Sequence, residues 1–168
     1  MEIDYITSFI SSLNNGFLTW ISTVVDNDLV FGLVLIVATL IGERRPEKIK
    51  KIALALILTF VISTAIKEML KISRPCTDLI DQKIKCPHSY SFPSIHAALS
   101  FTLAISFLNK KGYFTYLMFA IFISFTRIYL LAHTFVDISG GMIVAGVSYY
   151  LLDLAIKNGE KNGKKRSN

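Results

Sequence analysis

The sequence predicts an all-α fold: an integral membrane bundle of five transmembrane helices, six if the amino-terminal segment also spans. Three observations carry this expectation. Hydrophobic residues make up 52% of the 168-residue chain, and the mean hydropathy of +0.51 is high for an ordinary soluble domain. The apolar residues fall in runs separated by short polar stretches. The Lys and Arg residues cluster between those runs, where lipid headgroups and topology account for them.

The first segment, Tyr5–Val25, carries no charge. It interleaves Ser8, Ser11, Ser12, Asn14, Asn15, Thr19, Ser22 and Thr23 with Ile, Leu, Phe and Trp20, a mixture that suits interfacial helices better than a span. Five apolar segments follow: Asp28–Gly42, Ile49–Leu70, Pro93–Asn109, Tyr113–Leu131 and Thr134–Ile156. Several fall short of the about 20 residues of an isolated span. Snorkelling Lys and Arg, tilt or local thinning covers the difference. Gly140, Gly141, Ala145 and Gly146 let neighbouring helices approach closely. The start, "MEIDYITSFISS", lacks the basic region and cleavage site of a secretory signal and is expected to be retained. The polar, basic end "KNGEKNGKKRSN" is expected to be disordered. Residues 1–156 therefore read as one membrane-embedded domain and 157–168 as a basic cytoplasmic tail.

The net charge of +6 invites a nucleic-acid reading, but no nucleic-acid-binding pattern accompanies it, and the bilayer is the expected partner. "ERRPEKIKK" holds five Lys/Arg, "NKKG" two and the tail from Lys157 five. With five spans all three regions share one side, which the positive-inside rule makes the cytoplasm. The loop from Lys71 to Phe92 then lies outside, in a multi-pass plasma-membrane protein. Cys76 and Cys86 sit in that loop, either as a disulfide or as two buried thiols; their spacing leaves both open.

Polar chemistry gathers at the outer helix ends: Lys67 and Arg74 after the second span, Ser94 and His96 at the start of the third, Arg127 at the end of the fourth, His133 and Asp137 at the start of the fifth. Ionisable groups are costly near lipid and ask for a function. Three cations suit a phosphate, and a helix start at Pro93–Ser94 aims backbone N–H groups at an anion. His133 and Asp137 are four apart, on one face of a helix if the helix has begun by His133. There Asp137 can accept the Nδ1–H of His133 and leave Nε2 as a nucleophile, with His96 available as an acid. Taken singly, each residue also has a structural reading: interface anchor, buried hydrogen-bonded histidine or helix cap. A metal site from His96, His133 and Asp137 is disfavoured by the surrounding cations. His88 reads as a loop residue without a partner, and Lys71, Lys83 and Lys85 as solvated residues adding positive potential at the entrance.

The residues "KEMLKISRP" (Lys67 to Pro75), "PSIH" (Pro93 to His96) and "TRIYLLAHTFVD" (Thr126 to Asp137) resemble the three motifs of the type-2 phosphatidate phosphatase superfamily, K-x6-R-P, P-S-G-H and S-R-x5-H-x3-D. Ile95 stands where the family has glycine, and Thr126 where it has serine. The resemblance implies a metal- and cofactor-independent lipid phosphatase acting at the outer membrane face. His133 would form a phosphohistidine, oriented by Asp137. His96 would protonate the leaving oxygen and then activate water. Lys67, Arg74, Ser94, Ile95 and Arg127 would surround the phosphate. The short chain is similar to the small polyprenyl-diphosphate phosphatases, so the implied substrate is an isoprenoid diphosphate carrier such as undecaprenyl diphosphate. Phosphatidate or phosphatidylglycerophosphate phosphatase is the alternative within the enzyme class. A non-catalytic lipid-phosphate binder or transporter is the alternative outside it, and a binder has no need of His96 and His133.

Overall fold

Side-chain caps set the starts of the first three helices. Asp4 accepts from the Thr7 N–H, Asn15 from Leu18, and Asn27 from Leu29 and Val30, satisfying donors a helix start leaves orphaned. The chain, described here over residues 3–77 and 83–166 as a computed structural model, forms α1 (Tyr5–Ser12), α2 (Gly16–Asp26), α3 (Asp28–Gly42), α4 (Pro46–Leu70), α5 (Ile95–Ser106), α6 (Tyr113–Tyr129) and α7 (Phe135–Arg166). No strand occurs among the described residues. Pro46 opens α4, where its missing N–H is no loss. Lys71 ends that helix in the left-handed region at φ 49°.

Helix α5 is the hub, packing against α4, α6 and α7. Its buried face is built from small residues, Ala97, Ala98, Ser100, Thr102 and Ala104, so its neighbours approach closely. The hydroxyls of Thr59 and Thr102 meet at 2.9 Å between α4 and α5. A Cβ on Gly141 would lie 2.7 Å from the Ser94 carbonyl oxygen, so α7 crosses the start of α5 at a separation that excludes a side chain. A second apolar cluster joins Phe31, Leu35, Ile52, Leu103, Phe107 and Ile123. Leu33, Ile36, Leu54, Ile57, Ile143 and Val147 face outward and exposed, as a lipid-facing surface requires.

Among the described residues, two helices are by themselves long and apolar enough to cross a membrane, Pro46–Leu70 and Phe135–Gly159. The α2–α3 pair makes a third only if, bent by 81°, it counts as one span. Helices α5 and α6 are apolar but shorter. The expected disordered tail is overturned: α7 continues to Arg166. Lys157 pairs with Asp153 one turn back at 2.7 Å.

The amino-terminal helices sit at one end of the bundle. Phe135 N–H donates to Thr7 Oγ1 at 2.9 Å. Asn15 N–H donates to the Tyr129 hydroxyl at 3.2 Å, while Asp26 pairs with Arg127. The two ends of α2 thus meet the same end of α6. At the opposite end of the bundle Glu43 pairs with Lys110, and Lys51 with Asp153.

Candidate active site

A cavity of about 770 Å³ opens at the end of the bundle where α4 and α6 finish and α3, α5 and α7 begin. Lys67, Arg74, Arg127, His96, His133 and Ile95 line it. Lys67, in the last turn of α4, is only 4% exposed and donates to the Tyr90 and Ser91 carbonyls at 2.6 and 3.1 Å. Arg74 reaches across the loop behind it. Its Nε and Nη2 donate to the Ser89 carbonyl and hydroxyl, both at 2.8 Å, and Nη1 donates to the Ala132 carbonyl at 2.9 Å. Burial, with the Arg127 guanidinium nearby, pulls Arg74 down to about 10, so it remains charged at neutral pH.

Nη1 of Arg74 also lies 3.1 Å from Nε2 of His133. A guanidinium only donates, so Nε2 must accept, and the ring proton belongs on Nδ1. That nitrogen faces Asp137 at 3.6 Å, too long for the direct hydrogen bond expected from the sequence. Ser91 stands between them, donating to Asp137 Oδ2 at 2.6 Å and sitting 3.5 Å from Nδ1. Asp137 Oδ2 also accepts the Thr134 N–H at 2.7 Å, so the carboxylate both faces the histidine and caps α7. His133 is buried in the turn between α6 and α7. Burial pushes its pKa down, Asp137 opposes this, and Arg74 and Arg127 reinforce it, which keeps the imidazole neutral.

His96 enters from the first turn of α5, its ring tilted by 33° against that of Phe31 with the centroids 4.2 Å apart. Its Nε2 has no hydrogen-bond partner, and neither do Ser94 Oγ and Arg127 Nε, all of them buried. Asp28 is the nearest acid to His96 Nε2, at 3.8 Å. Ser94 does not cap α5 with its side chain; its N–H donates to the Asp137 carbonyl at 3.1 Å, tying α5 to α7. Cys76 and Cys86 are joined in a disulfide with Cα atoms 5.7 Å apart, which places Cys86 on the cavity rim. Among the described residues, no group of three His, Cys, Asp or Glu side chains is arranged to hold a metal ion.

His88 lies in the loop, as expected, and lines the cavity with Ser89. One sequence reading needs correction. Lys83 is not simply solvated: it donates to the Ser11, Leu13 and Tyr129 carbonyls, where the end of α1 leaves acceptors unsatisfied. Sequence reasoning missed Ser89, Ser91, Asp26 and Asp28 altogether. Asp28 opens the segment Asp28–Gly42, but nothing in the spacing of "DNDL" points to a contact with Arg127 or His96.

Comparison with known proteins matches residues 48–158 to the PAP2 superfamily. Among solved structures, LpxE of Aquifex aeolicus superposes with a TM-score of 0.72 at 24% identity, covering 88% of this chain and 92% of that one. A transmembrane PAP2-type phosphatidylglycerolphosphate phosphatase from Bacillus subtilis superposes with a TM-score of 0.67 at 14% identity, covering 91% and 83%. At these identities the likeness is one of fold. No curated protein matches the chain.

Proposed function

The chain belongs to the PAP2 superfamily, and from that premise we propose that it is an integral membrane phosphatase acting on the terminal phosphate of a lipid phosphate or diphosphate. The observation that carries the reading is His133: a neutral, buried imidazole that lines a cavity with Lys67, Arg74 and Arg127 and whose Nε2 meets Arg74 Nη1. Nε2 attacks the terminal phosphorus, the bond to its leaving oxygen breaks (the lipid oxygen of a monophosphate, the bridging oxygen of a diphosphate), and His96, protonated in the enzyme–substrate complex, gives that oxygen its proton. Water then attacks the phosphohistidine with its proton passing to His96, which releases inorganic phosphate and restores His133. Lys67, Arg74, Arg127, the Ser94 hydroxyl and the backbone at Ile95 stabilise the charge that shifts onto the phosphoryl oxygens. The reaction as written needs no metal, because three cations already supply the neutralisation.

In the membrane arrangement we favour, α3 to α7 span while α1 and α2 lie in the interface. The two ends of α2 meeting one end of α6 support this, as does the 81° bend at Asn27. Residues 1–156 then form the membrane domain and 157–168 a cytoplasmic end. The basic Arg44–Lys51 and Lys110–Lys111 clusters face the cytoplasm, and the site opens on the extracytoplasmic side. Our preferred substrate is an isoprenoid diphosphate carrier, for which hydrolysis outside would regenerate the carrier.

The test is phosphate release by detergent-purified protein in EDTA, with an isoprenoid diphosphate, phosphatidate and phosphatidylglycerophosphate as substrates, beside His133→Ala. We expect EDTA-resistant turnover, fastest on the isoprenoid diphosphate, and a loss of at least about 10³-fold in the variant, the scale of removing a nucleophile. Turnover surviving in His133→Ala would refute the nucleophile. Absence of turnover on every lipid, with folded protein, would point to a binder.

A further inference from the structure

The corner between α2 and α3 carries two carboxylates over the cavity, Asp26 and Asp28. Asp26 is the last residue of α2 and pairs with Nη1 of Arg127, a guanidinium only 2% exposed. The corner is well held, since Asn27 caps α3 through Leu29 and Val30 and its two flanking helices diverge by 81°. Arg127 Nε, on the same guanidinium, is buried and has no hydrogen-bond partner. One face of Arg127 is thus satisfied by a carboxylate of the chain itself, while its other donor awaits an acceptor.

We propose that Asp26 is a specificity-determining residue: it holds Arg127 with a carboxylate that a substrate phosphoryl group must displace or share, and so sets how tightly the site retains phosphate. This rests on the phosphatase reading above. A carboxylate and a phosphate are both acceptors for a guanidinium fork, so binding phosphate exchanges one charge-assisted contact for another. The carboxylate that loses the exchange then sits beside a dianion and repels it. The consequence falls hardest on the free phosphate product, which has no lipid tail to hold it. Asp26 thereby weakens product retention while a tailed substrate still binds through its apolar part.

The experiment measures binding of inorganic phosphate to the detergent-purified full chain by calorimetry, and thermal stability with and without phosphate, for the wild type, Asp26→Asn and Asp26→Glu. Removing the competing charge is expected to tighten phosphate binding on the order of tenfold in Asp26→Asn, the scale of a close charge contact, with Asp26→Glu close to wild type. Asp26→Asn also loses thermal stability in phosphate-free buffer, because Arg127 keeps only a neutral partner, and phosphate restores it by more than it raises the wild type. If Asp26→Asn binds phosphate no tighter than wild type, the competition is refuted while the phosphate site stands. If its lost stability is not restored by phosphate, Asp26 is a structural ion pair and the proposal fails. If phosphate binds to none of the three proteins, the phosphatase reading falls with it.

Discussion

At the scale of single residues, Ser91 is the unexpected part of the site. Its hydroxyl takes Oδ2 of Asp137, the oxygen that also faces His133. Ser91 therefore tempers how strongly the carboxylate holds the imidazole. In Ser91→Ala the carboxylate loses a donor and becomes the better acceptor for Nδ1–H. The charged form of His133 is then favoured and its pKa rises, so the acid limb of the pH–rate profile moves to higher pH. A lost buried hydrogen bond to a charged group, at about 1.5–3 kcal/mol, sets the scale for kcat, which should fall by about tenfold or more with KM little changed. Ser91→Thr keeps the hydroxyl and should restore both kcat and the profile. An unshifted acid limb in Ser91→Ala would show that Ser91 packs without positioning. Such a role was not legible in the sequence. His133 and Asp137 advertise themselves by a four-residue spacing, although His133 sits in the turn before α7, whereas Ser91 is brought to them from 42 and 46 positions away. The same holds for Asp26, whose partner Arg127 is 101 positions distant.

At the scale of elements, the site depends on how closely α7 lies on α5. Gly141 allows it, since its absent Cβ would sit 2.7 Å from the Ser94 carbonyl and 3.1 Å from the Ala98 nitrogen, both backbone atoms that cannot swing aside. Gly146, five residues further along the same helix, has nothing within 4 Å of that position. Gly141→Ala should therefore cost about 1–3 kcal/mol of stability, the usual range for overpacking. It should also reduce activity, because Ser94, His96 and Asp137 all ride on the displaced contact. Gly146→Ala should be neutral or stabilising by up to about 1 kcal/mol from helix propensity alone. Thermal unfolding in detergent, read beside activity, separates the two; equal losses in both variants would refute the packing argument. The pattern of small residues made this approach foreseeable, but not which glycine bears it. Helix α3 runs Asp28–Gly42 as expected, because an Asn–Asp start and a Gly–Glu end punctuate an uninterrupted apolar run. The limits of α5 and α7 were less legible. The stretch before Ile95 is used for loop contacts, and the Lys-rich end continues a helix that hydropathy alone would have stopped.

At the scale of the whole molecule, two ends of the bundle carry different chemistry. One holds the cavity, the disulfide and the amino-terminal helices. The other holds the Glu43–Lys110 and Lys51–Asp153 pairs beside clustered Lys and Arg. A bilayer placed between them faces the exposed apolar side chains of α3, α4 and α7. In the arrangement proposed above, the charge distribution puts the basic end inside and the disulfide in the oxidising space. Asn14 and Lys111 report the two ends, because both are exposed. With Cys76 and Cys86 bonded to each other, the native chain offers no competing thiol among the described residues. A membrane-impermeant maleimide should label Asn14→Cys in intact cells, and Lys111→Cys only after permeabilisation. The reverse pattern would put the site in the cytoplasm and rule out hydrolysis on the outer face. Labelling of Asn14→Cys from neither side would bury the α1–α2 turn in the bilayer and turn the interfacial segment into a span. In either case Asp26 stays beside Arg127 at the cavity, because it is held where α3 begins and α6 finishes.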